Sequence, residues 1–258
     1  MAKNDKKRTG GQLLVDSLLA NGVEQAFCVP GESYLAVLDA IYDAADIDLM
    51  VCRQEGGAAI MAEAQGKLTG RPGICFVARA PGATNASAGV HIAYQDSTPM
   101  ILFIGQVARD MRDREAFQEI DFRSMFGEMT KWTAEIETAA RVPEYVSHAF
   151  HLATSGRPGP VALALPEDML SDLAAPSPIA PAHLVQAYPG GKEMARVREL
   201  LDHAERPLVV LGGGGWDADA CYHIKRFAEA NDLPVTCSFR CQDLFDNEHA
   251  NYAGDVAI

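Results

Sequence analysis

The stretch VCRQEGGAAIMAEAQGKLTG, residues 51–70, contains a complete change from a strand pattern to a helix pattern. It begins with two apolar residues, Val51 and Cys52, and continues as an alanine-rich run with helical spacing. An acidic residue, Glu55, stands where the strand gives way to the helix, beside two glycines. A buried strand that leads directly into a helix is typical of parallel α/β sheets, and the stretch therefore predicts that fold class.

The carboxylate of Glu55 has two interpretations at this position. In the first, it interacts favourably with the helix dipole, which is worth about 0.3–1 kcal/mol and could be done by any acid near the turn. In the second, it is a semi-buried carboxylate, kept partly protonated by desolvation, that exchanges a proton with a bound heterocycle. The stretch alone leaves both interpretations open.

Similar transitions recur along most of the chain. Short apolar runs bounded by glycine, proline or charged residues alternate with amphipathic helical patterns, one of which begins after Thr9 as a plausible N-cap. This alternation predicts a parallel sheet that is covered by helices on both faces. The predicted strands are residues 24–30, 47–52, 73–78, 99–105, 130–136 and 159–166.

The composition changes at residues 173–192, a proline-rich stretch without periodicity that reads as an interdomain linker. Residues 1–172 are then predicted to be one α/β domain, and residues 193–258 the beginning of a second, Rossmann-like domain. In the second domain a strand runs into the turn GGGGW, residues 212–216, followed by a helix and another strand. Two strands and one helix cannot bury both faces of a sheet, so we expect this domain to be incomplete.

The overall charge argues against several classes of function. The net charge is -13, with 35 acidic and 22 basic residues, which disfavours a nucleic-acid partner. No apolar run approaches the ~20 residues of a membrane span, and the N-terminus has no signal-peptide pattern, so we predict no membrane partner and a cytoplasmic location. The six cysteines are scattered and are expected to be reduced.

Four predicted strands end in loops that are rich in glycine or polar residues. These loops are VPGES (29–33), RQEGG (53–57), RAPGATN (79–85) and IGQV (104–107). In open parallel sheets, ligands bind beyond the carboxyl ends of the strands, where helix N-termini supply N–H donors. Glycine there lets the backbone approach a ligand closely, and we therefore expect a binding site at this edge.

Three ordered motifs resemble a known family. CRQEGGAAIMAEAQGKLTG (52–70), APGATNASAGVHIAYQDSTPMILFIGQV (80–107) and AFQEIDFRSMFGEMTKW (116–132) together look like the N-terminal pyrimidine-binding domain of thiamine-diphosphate-dependent enzymes. The resemblance is to the acetolactate synthase-like group and covers nearly the whole chain. It favours the second interpretation of Glu55.

The resemblance implies roles for individual residues. The matching glutamate hydrogen-bonds N1′ of the cofactor's aminopyrimidine ring, which helps the cofactor lose its C2 proton and attack a 2-oxo acid. Glu55 and Gln118 are accordingly the predicted catalytic residues. The residues predicted to bind the cofactor are Gly31, Glu55, Pro81, Gly82 and Asn85. No residue of this chain is predicted to bind metal.

Two departures bear on the substrate. Glu32 stands where acetolactate synthases usually have a small residue, so that other thiamine-diphosphate lyases or transferases, of the 2-hydroxyacyl-CoA lyase or sulfoacetaldehyde acetyltransferase type, stay open. The paired histidines of simple 2-oxo acid decarboxylases are absent, since Gly105, Gln106 and Val107 occupy that place, and this favours carboligation or lyase chemistry. Lys131 resembles a family lysine near the substrate channel.

The resemblance also implies cofactors and assembly. We expect thiamine diphosphate and Mg²⁺ held through a domain absent from this chain. Central domains of the synthase branch often bind FAD at the position of residues 212–216, whereas other branches bind ADP or nothing there. The expected assembly is a homodimer or homotetramer acting on a 2-oxo acid or a related small molecule. The chain is then either a piece of a longer polypeptide or half of a two-chain enzyme. A non-catalytic dimerising fragment is the alternative, and a nicotinamide-dependent dehydrogenase is disfavoured because no G-x-G-x-x-G follows the first strand.

Overall fold

The computed structural model describes residues 7–175, 180–183 and 185–256. The chain divides into two compact units, Met1–Val185 and Gln186–Ile258. Within the predicted linker at 173–192, residues 176–179 and 184 lie outside the described residues. The first two residues of that stretch form a short strand, and its last two begin a helix.

The first unit contains fifteen helices and strands among the residues that the structure describes. Three 3₁₀ turns, Glu32–Tyr34, Arg109–Met111 and Ala139–Arg141, lie between them. In chain order the elements are β1 (Arg8–Thr9), α1 (Gly10–Ala20), β2 (Gln25–Cys28), α2 (Leu35–Tyr42), β3 (Asp48–Val51), α3 (Glu55–Thr69), β4 (Gly73–Val77), α4 (Ala80–Asp96), β5 (Met100–Gln106), α5 (Phe122–Phe126), β6 (Trp132–Glu135), α6 (Val142–Thr154), β7 (Pro160–Pro166), α7 (Glu167–Ser171) and β8 (Leu173–Ala174).

Six of these strands form one parallel sheet in the order β3-β2-β4-β5-β7-β6. Its central strands β4, β5 and β7 are buried along their whole length, as their near-continuous apolar sequences require. One core cluster joins the sheet to α1, α2, α6 and α7, and another joins it to α3, α4 and α5. The predicted fold class, a parallel sheet with helices on both faces, is confirmed.

Because all six strands are parallel, the sheet has a carboxyl edge, where every strand ends, and an amino edge, where every strand begins. The loops that lead into the N-termini of α3 and α4 lie at the carboxyl edge. The following sections use these two names.

Helices α3 and α4 lie in close contact because their facing residues are small. A side-chain carbon on Gly89 would come within 2.6 Å of the Cβ of Ala59, so only glycine fits there. The neighbouring alanines Ala58, Ala62 and Ala86 are fully buried. The alanine-rich pattern therefore fixes the N-termini of these two helices next to each other.

The second unit is a smaller parallel α/β unit. It contains α8 (Gly191–Asp202), β9 (Val209–Leu211), α9 (Ala218–Asn231), β10 (Val235–Ser238) and β11 (Tyr252–Val256), with the strand order β11-β10-β9. The expectation of two strands was wrong, because the described part of this unit has three. The third strand is hard to recognise in the sequence, since it contains Gly254 and Asp255 and is only partly buried.

Candidate functional site

Glu55 is the first residue of α3 and lies at the carboxyl edge, beyond the end of β3. The residue before it, Gln54, caps the helix, because its side-chain oxygen accepts a hydrogen bond from the backbone N–H of Gly57 at 2.8 Å. Glu55 itself is half-buried and makes no capping bond. Its carboxylate therefore does not cap the helix, although it lies in the first turn, where an acidic group interacts favourably with the helix dipole.

Two residues from the start of α4 meet this carboxylate. The side-chain amide of Asn85 donates a hydrogen bond to Oε2 of Glu55 at 2.9 Å. A side-chain carbon on Gly82 would lie 3.4 Å from Oε1, so the glycine leaves that oxygen uncovered. Oε1 accepts no hydrogen bond from the residues that the structure describes. The structure therefore brings Glu55, Gly82 and Asn85 together, with one carboxylate oxygen held and the other free.

Three buried groups, Cys28, Tyr34 and Cys75, stay neutral, and two of them lie close enough to Glu55 for its charge to act on them. Burial, helped by the nearby Cys52, raises the pKa of the Cys28 thiol to about 11. Burial also raises the pKa of Tyr34 and of Cys75, and the charge of Glu55 adds to both shifts. The hydroxyl of Tyr34 donates to the carbonyl of Val29 at 2.5 Å. The raised pKa values keep these groups uncharged at neutral pH.

Gly31 lies in the loop after β2, close to the end of β4. A side-chain carbon there would come within 2.5 Å of the Cβ of Ala78, so the two loops touch through backbone. The next residue, Glu32, is exposed, and Ser33 is buried against Gly105 of β5. Gly31 thus belongs to the same edge as Glu55 but contacts a different strand end.

Gln118 lies in the loop that follows β5. Its carbonyl accepts a hydrogen bond from the backbone N–H of Ala80 at 3.2 Å, which ties this loop to the start of α4 beside the exposed Pro81. Gln118 has a φ of 66°, and Asp113 and Glu115 of the same loop are also left-handed. Non-glycine residues adopt this conformation at a cost and are enriched at functional sites.

A cleft of about 610 Å³ lies beside this loop, at the ends of β5 and β6. Its lining includes the buried side chains of Gln106 and Glu135 and the guanidinium of Arg112, which pairs with Glu135. Burial raises the pKa of Glu135, and the charge of Arg112 opposes that shift. A second cavity of about 390 Å³ lies at the amino edge, away from the predicted site residues.

The structure contradicts the expectation for Lys131. This residue precedes β6 and therefore lies at the amino edge, opposite the site. Its ammonium group donates to the carbonyls of Leu152 and Ser155, at the end of α6. The side chain of Lys131 therefore completes a helix terminus.

Two charged residues of the edge were missed by sequence reasoning. Arg79 lies two residues after the end of β4, and its Nη2 donates to Oε2 of Glu167, the first residue after β7, at 2.5 Å. A basic residue immediately after a buried apolar run was the available signal. Its acidic partner is 88 positions away in sequence, so only the fold reveals the pair.

Two family models match the chain. The N-terminal TPP binding domain of thiamine pyrophosphate enzymes matches residues 8–125, and the central domain of the same enzymes matches residues 194–258. Together they cover more than half of the sequence. The chain therefore belongs to the thiamine pyrophosphate (thiamine diphosphate) enzyme family.

Its similar relatives are acetolactate synthases. The chain is 34% identical to the acetolactate synthase isozyme 3 large subunit of Escherichia coli (strain K12) over 256 residues, which are 97% of this chain and 45% of that protein. It is 34% identical to the acetolactate synthase of Arthrospira platensis over 262 residues, 98% of this chain and 45% of that protein. The acetolactate synthase large subunit of Corynebacterium glutamicum is 31% identical over 253 residues, 96% of this chain and 40% of that protein. The chain thus spans less than half the length of these relatives.

Proposed function

We propose that this chain supplies the pyrimidine-binding half of a thiamine diphosphate site, in an enzyme that decarboxylates a 2-oxo acid and joins the product to a second carbonyl compound. In this proposal residues 1–172 bind the cofactor's pyrimidine ring, residues 173–192 are a linker and residues 193–258 begin a central domain. The family membership and the acetolactate synthase relatives support it.

The residues around Glu55 fit an aminopyrimidine ring. They provide a half-buried carboxylate with one oxygen free, an amide that fixes the other oxygen, and a glycine that leaves the free oxygen uncovered. A ring nitrogen that must share a proton needs such a group, held in one orientation and partly shielded from water. The free oxygen of Glu55 is the single observation that carries the proposal.

When bound, thiamine diphosphate supplies the carbon nucleophile and the electron sink of the reaction. The protein's contribution is orientation and proton transfer. Oε1 of Glu55 holds the proton at ring nitrogen N1′, while Asn85 keeps the carboxylate from rotating away. The backbone of Gly31, Pro81 and Gly82 contacts the cofactor in this proposal. Gln118 lies near the reacting groups, because its loop is hydrogen-bonded to the start of α4.

The test is the substitution Glu55→Gln in the enzyme assembled with its diphosphate-binding domain. We expect the rate of C2 hydrogen–deuterium exchange of bound thiamine diphosphate, followed by NMR after acid quench, to fall by at least about 100-fold. The loss should exceed any change in cofactor affinity, because glutamine keeps the shape of the side chain.

Glu144→Gln is the matched control, because Glu144 also occupies the first turn of a helix, α6, and is exposed. A helix-dipole role would make the two substitutions equivalent, whereas the proposal predicts a loss only for Glu55. Unchanged exchange in Glu55→Gln would remove the proposed role of Glu55. Absence of exchange in the wild-type assembly would instead favour the non-catalytic dimerising fragment.

The natural substrate has a second candidate class. The exposed Glu32 near Arg79 stands where acetolactate synthases usually have a small residue, which keeps open a lyase or transferase of the 2-hydroxyacyl-CoA lyase or sulfoacetaldehyde acetyltransferase type. Product analysis after separate incubations with pyruvate, sulfoacetaldehyde and a 2-hydroxyacyl thioester distinguishes the two classes of enzyme. Formation of acetolactate from pyruvate supports an acetolactate synthase-like enzyme. Turnover of sulfoacetaldehyde or the thioester, without acetolactate formation, supports the other lyase or transferase class.

The remaining parts of the proposal concern assembly. Mg²⁺ would be held through a diphosphate-binding domain, and FAD would lie near residues 212–216; the described residues contain no cluster of His, Cys, Asp or Glu arranged to hold a metal ion. Exposed apolar side chains on α3 and α4, Ile60, Met61 and Tyr94, support a homodimer or homotetramer. None of the helices in the described ranges has the length and apolar character of a membrane span, and the cytoplasmic location stays a prediction.

A further inference from the structure

Arg79 has an unusual bonding state for a buried arginine. Its side chain is only 12% exposed at the carboxyl edge, between the ends of β2, β4 and β7. Nη2 bonds to Glu167, Nη1 lies 4.0 Å from Oε1 of Glu32, and Nε is buried without a hydrogen-bond partner in the described residues. A guanidinium cannot give up its charge, so its unfilled donors carry a desolvation cost.

Arg109, at the same edge, shows how this chain satisfies a structural arginine. Its side chain is 35% exposed, yet Nε, Nη1 and Nη2 donate to Asp168, to the carbonyl of Glu137 and to Asp172. Arg79 is more deeply buried and bonds through one nitrogen. The difference indicates that Arg79 keeps bonding capacity for a group outside the chain.

Glu32 is poorly suited to be the permanent partner of Arg79. Its side chain is 79% exposed, and the 4.0 Å separation exceeds hydrogen-bond length. Exposed ion pairs of this kind contribute little to stability. An incoming anion with better geometry can therefore displace Glu32 into solvent, while Glu167 keeps the guanidinium in place.

We propose that Arg79 recognises the carboxylate of a small anionic substrate, which takes the place of Glu32 at Nη1. A carboxylate is favoured because the guanidinium is so little exposed that it admits a small planar anion, and carboxylates match its fork geometry. The identification of that substrate with a 2-oxo acid rests on the function proposed above. Arg79 is thereby a specificity-determining residue, and Glu32 is its intramolecular competitor.

This arrangement predicts opposite effects of two substitutions. Removing the charge of Arg79 abolishes the attraction, whereas removing the charge of Glu32 removes both the competitor and a repulsive charge. A purely structural ion-pair cluster would give no such opposition, because either substitution would only loosen the loop. The opposite signs are the signature of the proposal.

The experiment is an NMR titration of the ¹⁵N-labelled chain with pyruvate and, separately, with its uncharged analogue pyruvamide. Affinity is read from the backbone amides of residues 31–34, Arg79, Ala80 and Gly82, and from the Nε–H signal of Arg79 in the wild type. We expect saturable shifts with pyruvate alone. Arg79→Gln should weaken pyruvate binding by at least about tenfold, and Glu32→Gln should tighten it by about threefold.

Two further variants keep the test decisive. Arg141→Gln removes the same charge from an exposed arginine that pairs with Glu144 and does not contact Arg79, and it should bind pyruvate as the wild type does. Arg79→Lys keeps the charge without the fork and should bind with intermediate affinity, which covers the case in which Arg79→Gln does not fold.

Three results would overturn the proposal: no saturable shift with pyruvate, equal shifts with pyruvamide, or weaker binding in Glu32→Gln. The outcome is separable from that of the proposed function. C2 exchange in Glu55→Gln tests the cofactor role without reference to Arg79, and the titration tests Arg79 without any cofactor.

Discussion

At the amino edge of the six-stranded sheet the buried polar side chains bond to partners within the chain, whereas at the carboxyl edge several do not. Lys131 donates to two helix-terminal carbonyls, and the hydroxyl of Thr98 donates to the buried carboxylate of Glu63. The buried side-chain atoms that lack a hydrogen-bond partner, among the residues described, are Ser33 Oγ, Arg79 Nε and Glu135 Oε1. All three belong to the carboxyl edge.

This difference indicates that the two edges of one sheet have different roles, one in stability and the other in ligand binding. Saturated hydrogen bonding at the amino edge stabilises the folded chain, because each buried polar group recovers what it loses on leaving water. Unsaturated groups at the carboxyl edge cost stability and persist where a ligand completes them. Substitutions at the amino edge should therefore affect unfolding, and those at the carboxyl edge should affect chemistry.

The largest expected effect is at Gly73, the first residue of β4. A side-chain carbon there would overlap the carbonyl oxygen of Ala62 in α3, so Gly73→Ala should lower the free energy of unfolding by about 3 kcal/mol, measured by urea denaturation. Gly57→Ala is the control, because the nearest atom to the added carbon is 3.9 Å away. Equal free energies of unfolding for the two variants would contradict the claim that the amino edge stabilises the folded chain.

The next effect is at Lys131. Lys131→Met removes the ammonium group from two carbonyls at the end of α6 and should lower the free energy of unfolding by about 2 kcal/mol, since hydrogen bonds to charged groups are worth about that much. C2 exchange of bound thiamine diphosphate should stay unchanged in the assembled enzyme. Slower C2 exchange with an unchanged free energy of unfolding would instead support the expectation that Lys131 lies near the substrate channel.

Asn85 tests the carboxyl edge in the opposite way. Asn85→Ala frees Oε2 of Glu55 and should slow C2 exchange by about tenfold, while the free energy of unfolding changes little because Asn85 is exposed. Ser87→Ala, on the same helix, is the control, because its hydroxyl bonds only to the carbonyl of Thr84. A stability loss without slower exchange would assign Asn85 to the fold.

The smallest effect concerns Asp168, a carboxyl-edge residue whose bonding is complete. Burial would raise the pKa of Asp168, but hydrogen bonds from Arg109 outweigh it and lower the pKa below 3.8. A lowered folded-state pKa gives stability that is present above pH 3.8 and is lost as the pH falls through the folded value. Asp168→Asn should therefore cost about 1 kcal/mol at neutral pH and progressively less in acid.

Thermal unfolding of the wild type and of Asp168→Asn, measured as a function of pH, checks the predicted loss of stability. Asp43→Asn, at an exposed aspartate, is the control. A difference that grows on acidification would contradict the sign. We expect C2 exchange to be unchanged in Asp168→Asn. That result would show that a carboxyl-edge residue takes part in the chemistry only when its polar atoms lack a partner within the chain, and not merely because it lies at that edge.

Much of the fold followed from local pattern. The six predicted strands of the first unit are all present within a few residues. Thr9 caps α1 as expected, through a reciprocal bond with Gln12. Periodicity and capping succeed because they depend on neighbours within a few positions.

The candidate site was predictable where it lies in one continuous motif. Glu55 was singled out by its place at a strand-to-helix turn, and Asn85 and Gly82 by a family motif. That they meet through Oε2 and Oε1 of one carboxylate follows from the contact between α3 and α4, which no short stretch encodes. The third strand of the second unit was missed for the converse reason, because its sequence is weakly apolar and only its neighbours make it a strand.

By itself, the sequence determined the class of fold, and it predicted the edge of the candidate site and the carboxylate proposed for its centre, because hydrophobic periodicity and strand-to-helix turns are local properties. Only the tertiary structure decided which polar groups are left unbonded. Glu32, Arg79 and Glu167 follow three different strands, and their bonding depends on how parallel strands bring distant loops to one edge. It likewise separated Lys131 from the site, since a residue that precedes a strand and a residue that follows one lie at opposite edges.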